Sequence, residues 1–437
     1  MDKTPAWGIE PVPERLRQLG ILDSLALWGN LGISLLVIVA GTYLVPGLSL
    51  KDALIAVLVG GLVGNAMLGV AGLIGAQARV PAMVLLRAPL GRAGSYLATV
   101  LNVGQNVGWA TFELIVIGTA AAALSERAFG FGARPLWVIA FGALTLVFAL
   151  LGPIGFVRKW VRKFALWVVL ASLVYLTWWT IDGAHLRELW AKPGTGEMTF
   201  WGGVDLMIAM PASWLPLVAD YTRFSRNRRS AFIGSGVGHL IPNVWLFGLG
   251  ALLLLSRNLG DPTDLLTAIA GAGLAGGLVL LALTVDETDE PFANVYSAAV
   301  SVQNVLPRAS QRLVIVVVAA LCTVLALAID LRQYQTFLIL LGAAFVPLFA
   351  VLLADWLLAG RDYSRERIFD APVLRGGLVG AWLAGFCLYE WLSPYGPSWW
   401  IALVEKTNPH ALPWGGASLP AFALSFVLAL VVGRLRR

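Results

Sequence analysis

Apolar runs of about 20 residues, enough to cross a bilayer, recur along the chain with short polar gaps between them. They predict helical spans at 22–45, 52–76, 93–125, 136–156, 162–182, 200–221, 231–255, 265–303, 313–330, 333–358, 376–396 and 417–435. Two of these are interrupted. Span 1 carries Trp28-Gly29-Asn30-Leu31-Gly32 near its middle, and span 6 carries Met210-Pro211-Ala212-Ser213-Trp214-Leu215-Pro216. Glycine loosens a helix and proline removes a backbone donor. Broken backbone at membrane depth survives where protein or a water-filled cavity covers it. Spans 1 and 6 are corresponding members of two five-helix halves, which points to an inverted-repeat transporter with its site at the breaks.

Polar residues inside the apolar runs mark the candidate site. Span 8 places Asp286, Glu287, Asp289 and Glu290 at mid-depth. Four ionised carboxylates facing lipid would cost roughly 10–14 kcal/mol at about 2.5–3.5 each. At helical spacing they fall within about 160° of arc, and Asn294 and Ser297 share that face. The stripe therefore faces the bundle interior. The alternative is a loop between two short helices with the acids in water, and 265–302 has too few residues for two full spans. In span 3, Gln105, Trp109 and Glu113 recur every four residues and share a face. An indole offers a stacking surface for a planar heterocycle, and the amide and carboxyl beside it can read ring nitrogens and an exocyclic amine. Asn102 and Asn106 lie next to this face, within reach of span 8.

Composition agrees: 58% of the 437 residues are hydrophobic and 13% charged, where a soluble domain carries about 25% charged. The net charge of +6 does not suggest nucleic acid, because the basic residues cluster between apolar spans. With the N-terminus in the cytoplasm, 23 of the 31 Lys and Arg fall inside and 8 outside. The positive-inside rule thus predicts an inner-membrane protein with both termini cytoplasmic. The polar N-terminal segment lacks the pattern of a cleaved signal. Cys322 and Cys387 lie in apolar runs and read as packing residues; His185, His239 and His410 have no metal-like spacing, so no metal site and no cofactor are assigned. No nucleophile grouping or phosphate loop favours an enzyme. Asp205 and Asp220 bracket span 6, and Asp220 reads as a structural partner of nearby arginines.

Four segments carry a family resemblance: Trp7-Gly8-Ile9-Glu10-Pro11-Val12-Pro13, VGW at 107–109, AMPASWLPLVADYTRF at 209–224 and TVDETDEPFANVYSAAVSVQN at 284–304. They resemble the nucleobase:cation symporter-1 family, whose members carry cytosine, purines, uracil, allantoin, hydantoins and thiamine precursors, and most nearly its CytX-type branch, assigned to hydroxymethylpyrimidine uptake. The resemblance implies an all-α, leucine-transporter-type fold. Two inverted five-helix repeats, 22–182 and 200–358, are followed by two further helices in 376–435, as one transmembrane domain. It also implies that Trp109 stacks on substrate, with Glu113 where hydantoin-type members have glutamine. Cytosine permeases place a glutamine where this chain has Asn106. The family's second tryptophan falls at Pro211, with Ser213 and Trp214 next along the break. Asn294 matches the substrate-contacting asparagine of span 8. Thr288 and Asp289 match a Ser-Thr pair that helps bind sodium, opposite backbone carbonyls near Asn30 and Ile33.

The expected function is import of a small pyrimidine coupled to a cation. Trp109, Gln105, Glu113, Ser213, Trp214 and Asn294 would bind substrate, and Asn30, Ile33, Asp286, Thr288 and Asp289 would bind or couple the ion. Sodium is favoured and a proton is the alternative. Another family substrate, such as a purine, allantoin or hydantoin, is the second reading, and a membrane enzyme using the span-8 acids is the third. Partners are the pyrimidine and the lipid bilayer, with no protein or nucleic acid implied.

Overall fold

The computed structural model describes residues 9–151, 155–306, 308–408 and 416–435. Lys3, Trp7, Gly8, His410, Arg436 and Arg437 lie outside the described residues, as do the side chains of Arg158, Lys159, Arg162 and Lys163. The apolar runs fold as helices, and the described residues contain no strand. Span 1 is a bent pair, 1a (Ile21–Leu31) and 1b (Leu35–Thr42), at 59° to one another. Span 2 is Leu50–Ala78, span 3 Arg92–Phe129, span 4 Arg134–Leu151 and span 5 Gly155–Ile181. Span 6 comprises 6a (Phe200–Ser213) and 6b (Val218–Thr222), and span 7 runs over Arg228–Ser256 with a π-helical turn at Gly234–Gly238. Spans 9 to 12 are Gln311–Ala328, Tyr334–Leu358, Gly376–Leu392 and Ser418–Leu435. Among the described residues, seven helices are each long and apolar enough to cross a membrane, and the bent pair of span 1 supplies an eighth.

Span 8 differs from the single helix expected over 265–303. A separate short helix, Asp264–Gly271, precedes it and ends where Gly273 takes a φ of 79°. Span 8 then runs as 8a (Gly273–Glu287) and 8b (Asp289–Val305), interrupted at Thr288. The acids therefore flank a break instead of forming an unbroken stripe. In span 6 the helix continues through Pro211 and breaks a turn later, beside Pro216, which has no N–H to extend it.

Packing divides the spans into two groups. Span 2 lies against 6a and span 7, and span 7 lies against both halves of span 1. Spans 3, 4, 8 and 9 pack on one another. Exchanging each of spans 1–5 with its counterpart in spans 6–10 turns the 2/6 contact into 7/1, 3/9 into 8/4 and 3/4 into 8/9, all of which occur. This is how two five-helix repeats interlock. Span 1b and span 7 meet backbone to backbone. A Cβ at Gly41 would strike the Phe247 carbonyl, and one at Gly250 the Ile38 carbonyl, the close approach that small residues permit in membrane helix pairs. Span 10 is central, with 83% of its apolar window buried against 22% for spans 4 and 12. The outer faces of the peripheral helices are apolar, as at Val147, Val324 and Val427.

Buried charges at the helix ends tie the outer helices to this core. Asp355, at the end of span 10, accepts from Arg367 at 2.7 Å and from the Tyr363 hydroxyl at 2.8 Å. The N-terminal segment pairs with the end of span 6 through a bridge between Leu19 and Ser225. The Asp220 carboxylate accepts from the Ala82 N–H at 3.0 Å, so its partner is a helix start as well as a nearby arginine. Asp205 caps span 12, accepting from the N–H groups of Ala417 at 2.6 Å and Ser418 at 3.0 Å.

Asp205→Ala should lower the stability of the purified protein by about 0.5–2 kcal/mol, the range for a lost helix N-cap. Asp205→Asn, which keeps one acceptor oxygen, should lose less. An alanine variant that unfolds at the wild-type temperature in detergent would show that this cap does not hold span 12.

Candidate functional site

The breaks in spans 1 and 6 face spans 3 and 8b across an internal cavity. Span 1 contributes Leu31, Ser34 and Val37 to its wall, and span 6 contributes Met210, Ser213, Trp214 and Leu217. Trp109 and Glu113 come from span 3, His239 from span 7, and Glu290 and Asn294 from span 8b. Five of the six residues expected to bind substrate thus share one wall. Gln105 is the exception. It lies a helical turn away, buried, with its Nε2 donating to Asn102 Oδ1 at 2.8 Å. Asn102 in turn donates to the Ser301 hydroxyl at 3.3 Å, while Asn106 donates to its own helix at the Asn102 carbonyl. These residues form a polar seam between spans 3 and 8b, away from the cavity. The four-residue spacing is correct, but the length of span 3 carries Gln105 past the end of the pocket.

Aromatic edges fix both indoles. Trp109 meets Tyr334 at 5.8 Å and Phe337 at 5.6 Å between ring centres, at interplanar angles of 68° and 81°. Trp214 meets Trp28 at 5.8 Å and His239 at 6.0 Å, again edge to face. Such contacts favour one orientation of each ring. Between spans 3 and 8b, Asn294 Nδ2 donates to both carboxyl oxygens of Glu113, at 2.9 and 3.1 Å, and to the Glu290 carbonyl at 3.2 Å. Ser213 donates its hydroxyl to the Met210 carbonyl at 2.7 Å.

The seam between spans 1 and 8, expected to hold the ion, contains an acid of the span-8 stripe to which the sequence assigned neither ion nor substrate. Glu287, the last residue of 8a, accepts from the Ser34 hydroxyl at 2.6 Å and from the Leu35 N–H at 2.9 Å. Its carboxyl thus caps the first turn of 1b, whose backbone donors the break leaves open. Thr288 turns back on its own helix, donating to the Val285 carbonyl at 2.7 Å, and the Asn30 carbonyl accepts from the Ile33 N–H at 3.0 Å. Asp286 and Asp289 stand on either side of Glu287 in the chain, and neither lines the cavity. The clue was available: Ser34 opens a helix at a break, and an acid across the gap is a natural acceptor for its first N–H groups.

His239 also lines the cavity without having been expected there. Its Nδ1 lies 2.9 Å from Asn65 Oδ1, and the Asn65 amide is oriented by its own donation to the Gly61 carbonyl at 2.9 Å. Nδ1 therefore carries the proton and Nε2 is an acceptor. A lone histidine in an apolar run gave no sign of this.

The wall thus gathers two indoles, a carboxyl–amide pair and a second carboxyl around one space. The chain is 27% identical over 391 residues to the cytosine permease of Escherichia coli (strain K12), covering 86% of this chain and 88% of that protein. It is 25% identical over 369 residues to the hydantoin permease of Microbacterium maritypicum, covering 79% and 74%. Among solved structures, the nucleobase-cation-symport-1 family transporter MHP1 superposes with a TM-score of 0.72 in a closed conformation with bromovinylhydantoin bound, at 20% identity over 99% of this chain and 94% of that one. Its inward-facing conformation gives 0.78 at 18% identity and the same coverage. These relatives are permeases and transporters, and the shared fold is the one expected from the motifs. A family model described as permease for cytosine/purines, uracil, thiamine, allantoin matches residues 11–369, and the chain belongs to that family.

Proposed function

We propose that the protein imports a small pyrimidine, of the hydroxymethylpyrimidine or cytosine type, together with a cation by alternating access. The observation that carries this reading is the cavity between the two broken spans, where Trp109 and Trp214 flank the hydrogen-bonded pair Glu113 and Asn294. A pyrimidine ring matches the indoles in shape, and an amine beside a ring nitrogen complements a carboxyl beside an amide. The names of the relatives, a cytosine permease and a hydantoin permease, support a planar nitrogen heterocycle as cargo. The group made by spans 1, 2, 6 and 7 would rock against the group made by spans 3, 4, 8 and 9 around the cavity, each repeat, 22–182 and 200–358, contributing helices to both, with 376–435 as an added pair. The charge bias of the loops supports an inner (cytoplasmic) membrane with both termini cytoplasmic. Uptake of labelled hydroxymethylpyrimidine or cytosine into vesicles, lost when ion gradients are dissipated, tests the reading. Uptake of neither under any gradient would overturn it.

The coupling ion on this reading is sodium, held in the seam between spans 1 and 8, with a proton as the alternative. Hard oxygen ligands suit sodium as they suit other hard cations; Glu287 brings carboxyl oxygens to that seam, and Asp289 stands two residues further along span 8. Each charge entering the cell gains roughly 2.3 kcal/mol per 100 mV of membrane potential, which drives accumulation when ion and substrate sites are linked.

Trp109→Ala should lose about 1–3 kcal/mol of pyrimidine binding, by analogy with base stacking on aromatic side chains, and Trp109→Phe should keep part of it. Calorimetry on purified protein reads both, and an alanine variant of wild-type affinity would remove Trp109 from the substrate site. For the ion, Asp289→Asn should raise the sodium concentration needed for half-maximal uptake while leaving binding at saturating sodium largely intact. If that variant exchanges substrate but no longer accumulates it, the proton reading holds; normal accumulation with an unchanged ion requirement would move the coupling site elsewhere.

A further inference from the structure

Glu290 stands in the first turn of span 8b and lines the cavity, yet its carboxyl makes no hydrogen bond or ion pair among the described residues. The neighbouring acids are engaged. Glu287 holds the start of span 1b, Glu113 takes both contacts from Asn294, and neither Asp286 nor Asp289 faces the cavity. A carboxyl without a donor at membrane depth is costly, and its partner must come from the cavity.

The rest of the wall has few donors to offer. It contains no Lys or Arg among the described residues. The Ser34 hydroxyl is committed to Glu287, the Ser213 hydroxyl to the Met210 carbonyl, and Asn294 Nδ2 to Glu113 and its own helix. The His239 ring donates away from the cavity, to Asn65. Among the described residues only the two indole N–H groups remain as side-chain donors on this wall, set against the open carboxyl of Glu290. Such a wall recognises a ligand that brings its own donors.

We propose that Glu290 is a specificity-determining residue that selects amino-substituted pyrimidines over their oxo counterparts; this rests on the pyrimidine reading of the same cavity. The matching ligand edge is amidine-like, a ring N–H beside an exocyclic N–H, which meets the two oxygens of a carboxyl in parallel. A 4-aminopyrimidine presents this edge when its ring nitrogen holds a proton taken from solvent. The pair then shares one proton between ring nitrogen and carboxyl. Against the ionised carboxylate a 4-oxo ring pairs its ring N–H but turns its carbonyl on the second oxygen, leaving acceptor against acceptor, and a buried group left unmatched is what makes discrimination strong.

The test compares 4-amino-2-methylpyrimidine with 2-methylpyrimidin-4-one by calorimetry on the purified full chain, at fixed pH and saturating sodium. Wild type should prefer the amino compound by about tenfold or more, the size of one hydrogen bond to a charged group. Glu290→Gln should shrink that preference to within about threefold, chiefly by weakening the amino compound. An unchanged preference in this variant overturns the role of Glu290 while leaving the pyrimidine reading standing; binding of neither compound, nor of cytosine, by wild type overturns both. A second measurement needs no variant. Across 4-aminopyrimidines of increasing ring-nitrogen basicity, wild-type affinity should rise, and a flat series would contradict the proposal.

Discussion

The helix break of span 1 at membrane depth depends on the contact between Glu287 and the start of span 1b. A break leaves backbone N–H groups without intrahelical partners, and in an apolar medium each unsatisfied group costs roughly 2–7 kcal/mol. Ser34 and Leu35 resolve this by donating to one carboxyl from span 8. That carboxyl is itself tolerable there because it receives two donors. The contact therefore stabilises both the broken backbone and the buried acid, and it ties the group made by spans 1, 2, 6 and 7 to the group made by spans 3, 4, 8 and 9. The cavity lies where these two groups meet.

The wall divides its roles by group. The aromatic plate on one side, Trp109, is braced from span 10 by Tyr334 and Phe337; the plate on the other, Trp214, is braced from spans 1 and 7 by Trp28 and His239. The polar groups come from the span 3 and span 8b side, where Asn294 orients Glu113 and Glu290 stands open. On the proposed transport cycle, movement of one group against the other would alter the separation of the plates while keeping Glu113, Asn294 and Glu290 together, since they sit within one group.

Much of this was legible in the sequence because it rests on local rules. Apolar runs set the spans, Gly32 and Pro216 marked the breaks, and helical spacing placed Trp109 beside Glu113 and Asn294 on the inner face of span 8. What was not legible depends on where helices end in three dimensions. Gln105 obeys the same spacing as Trp109 but lies beyond the pocket, where Asn102 engages it. The span-8 acids looked equivalent on a helical wheel, and the break at Thr288 separated them: Glu287 turns to span 1 and Glu290 to the cavity. Aligning the family's hydroxyl pair with Thr288 and Asp289 drew attention one residue past the acid that reaches the seam. His239 depended on Asn65 of another helix for its orientation, a relation that one segment cannot reveal.

The account stands or falls on whether the cavity between the breaks is where the pyrimidine sits. Ser213→Cys, in a background with Cys322 and Cys387 replaced, puts a single thiol on the cavity wall at the span 6 break. The rate of its modification by a small water-soluble thiol reagent, with and without saturating hydroxymethylpyrimidine or cytosine, measures occupancy directly. The account predicts that the transported pyrimidine slows modification strongly, while a thiol placed on the exposed segment between spans 5 and 6 at Lys192→Cys is modified at the same rate with and without it. Equal rates at Ser213→Cys with and without a pyrimidine that the same protein transports would contradict it.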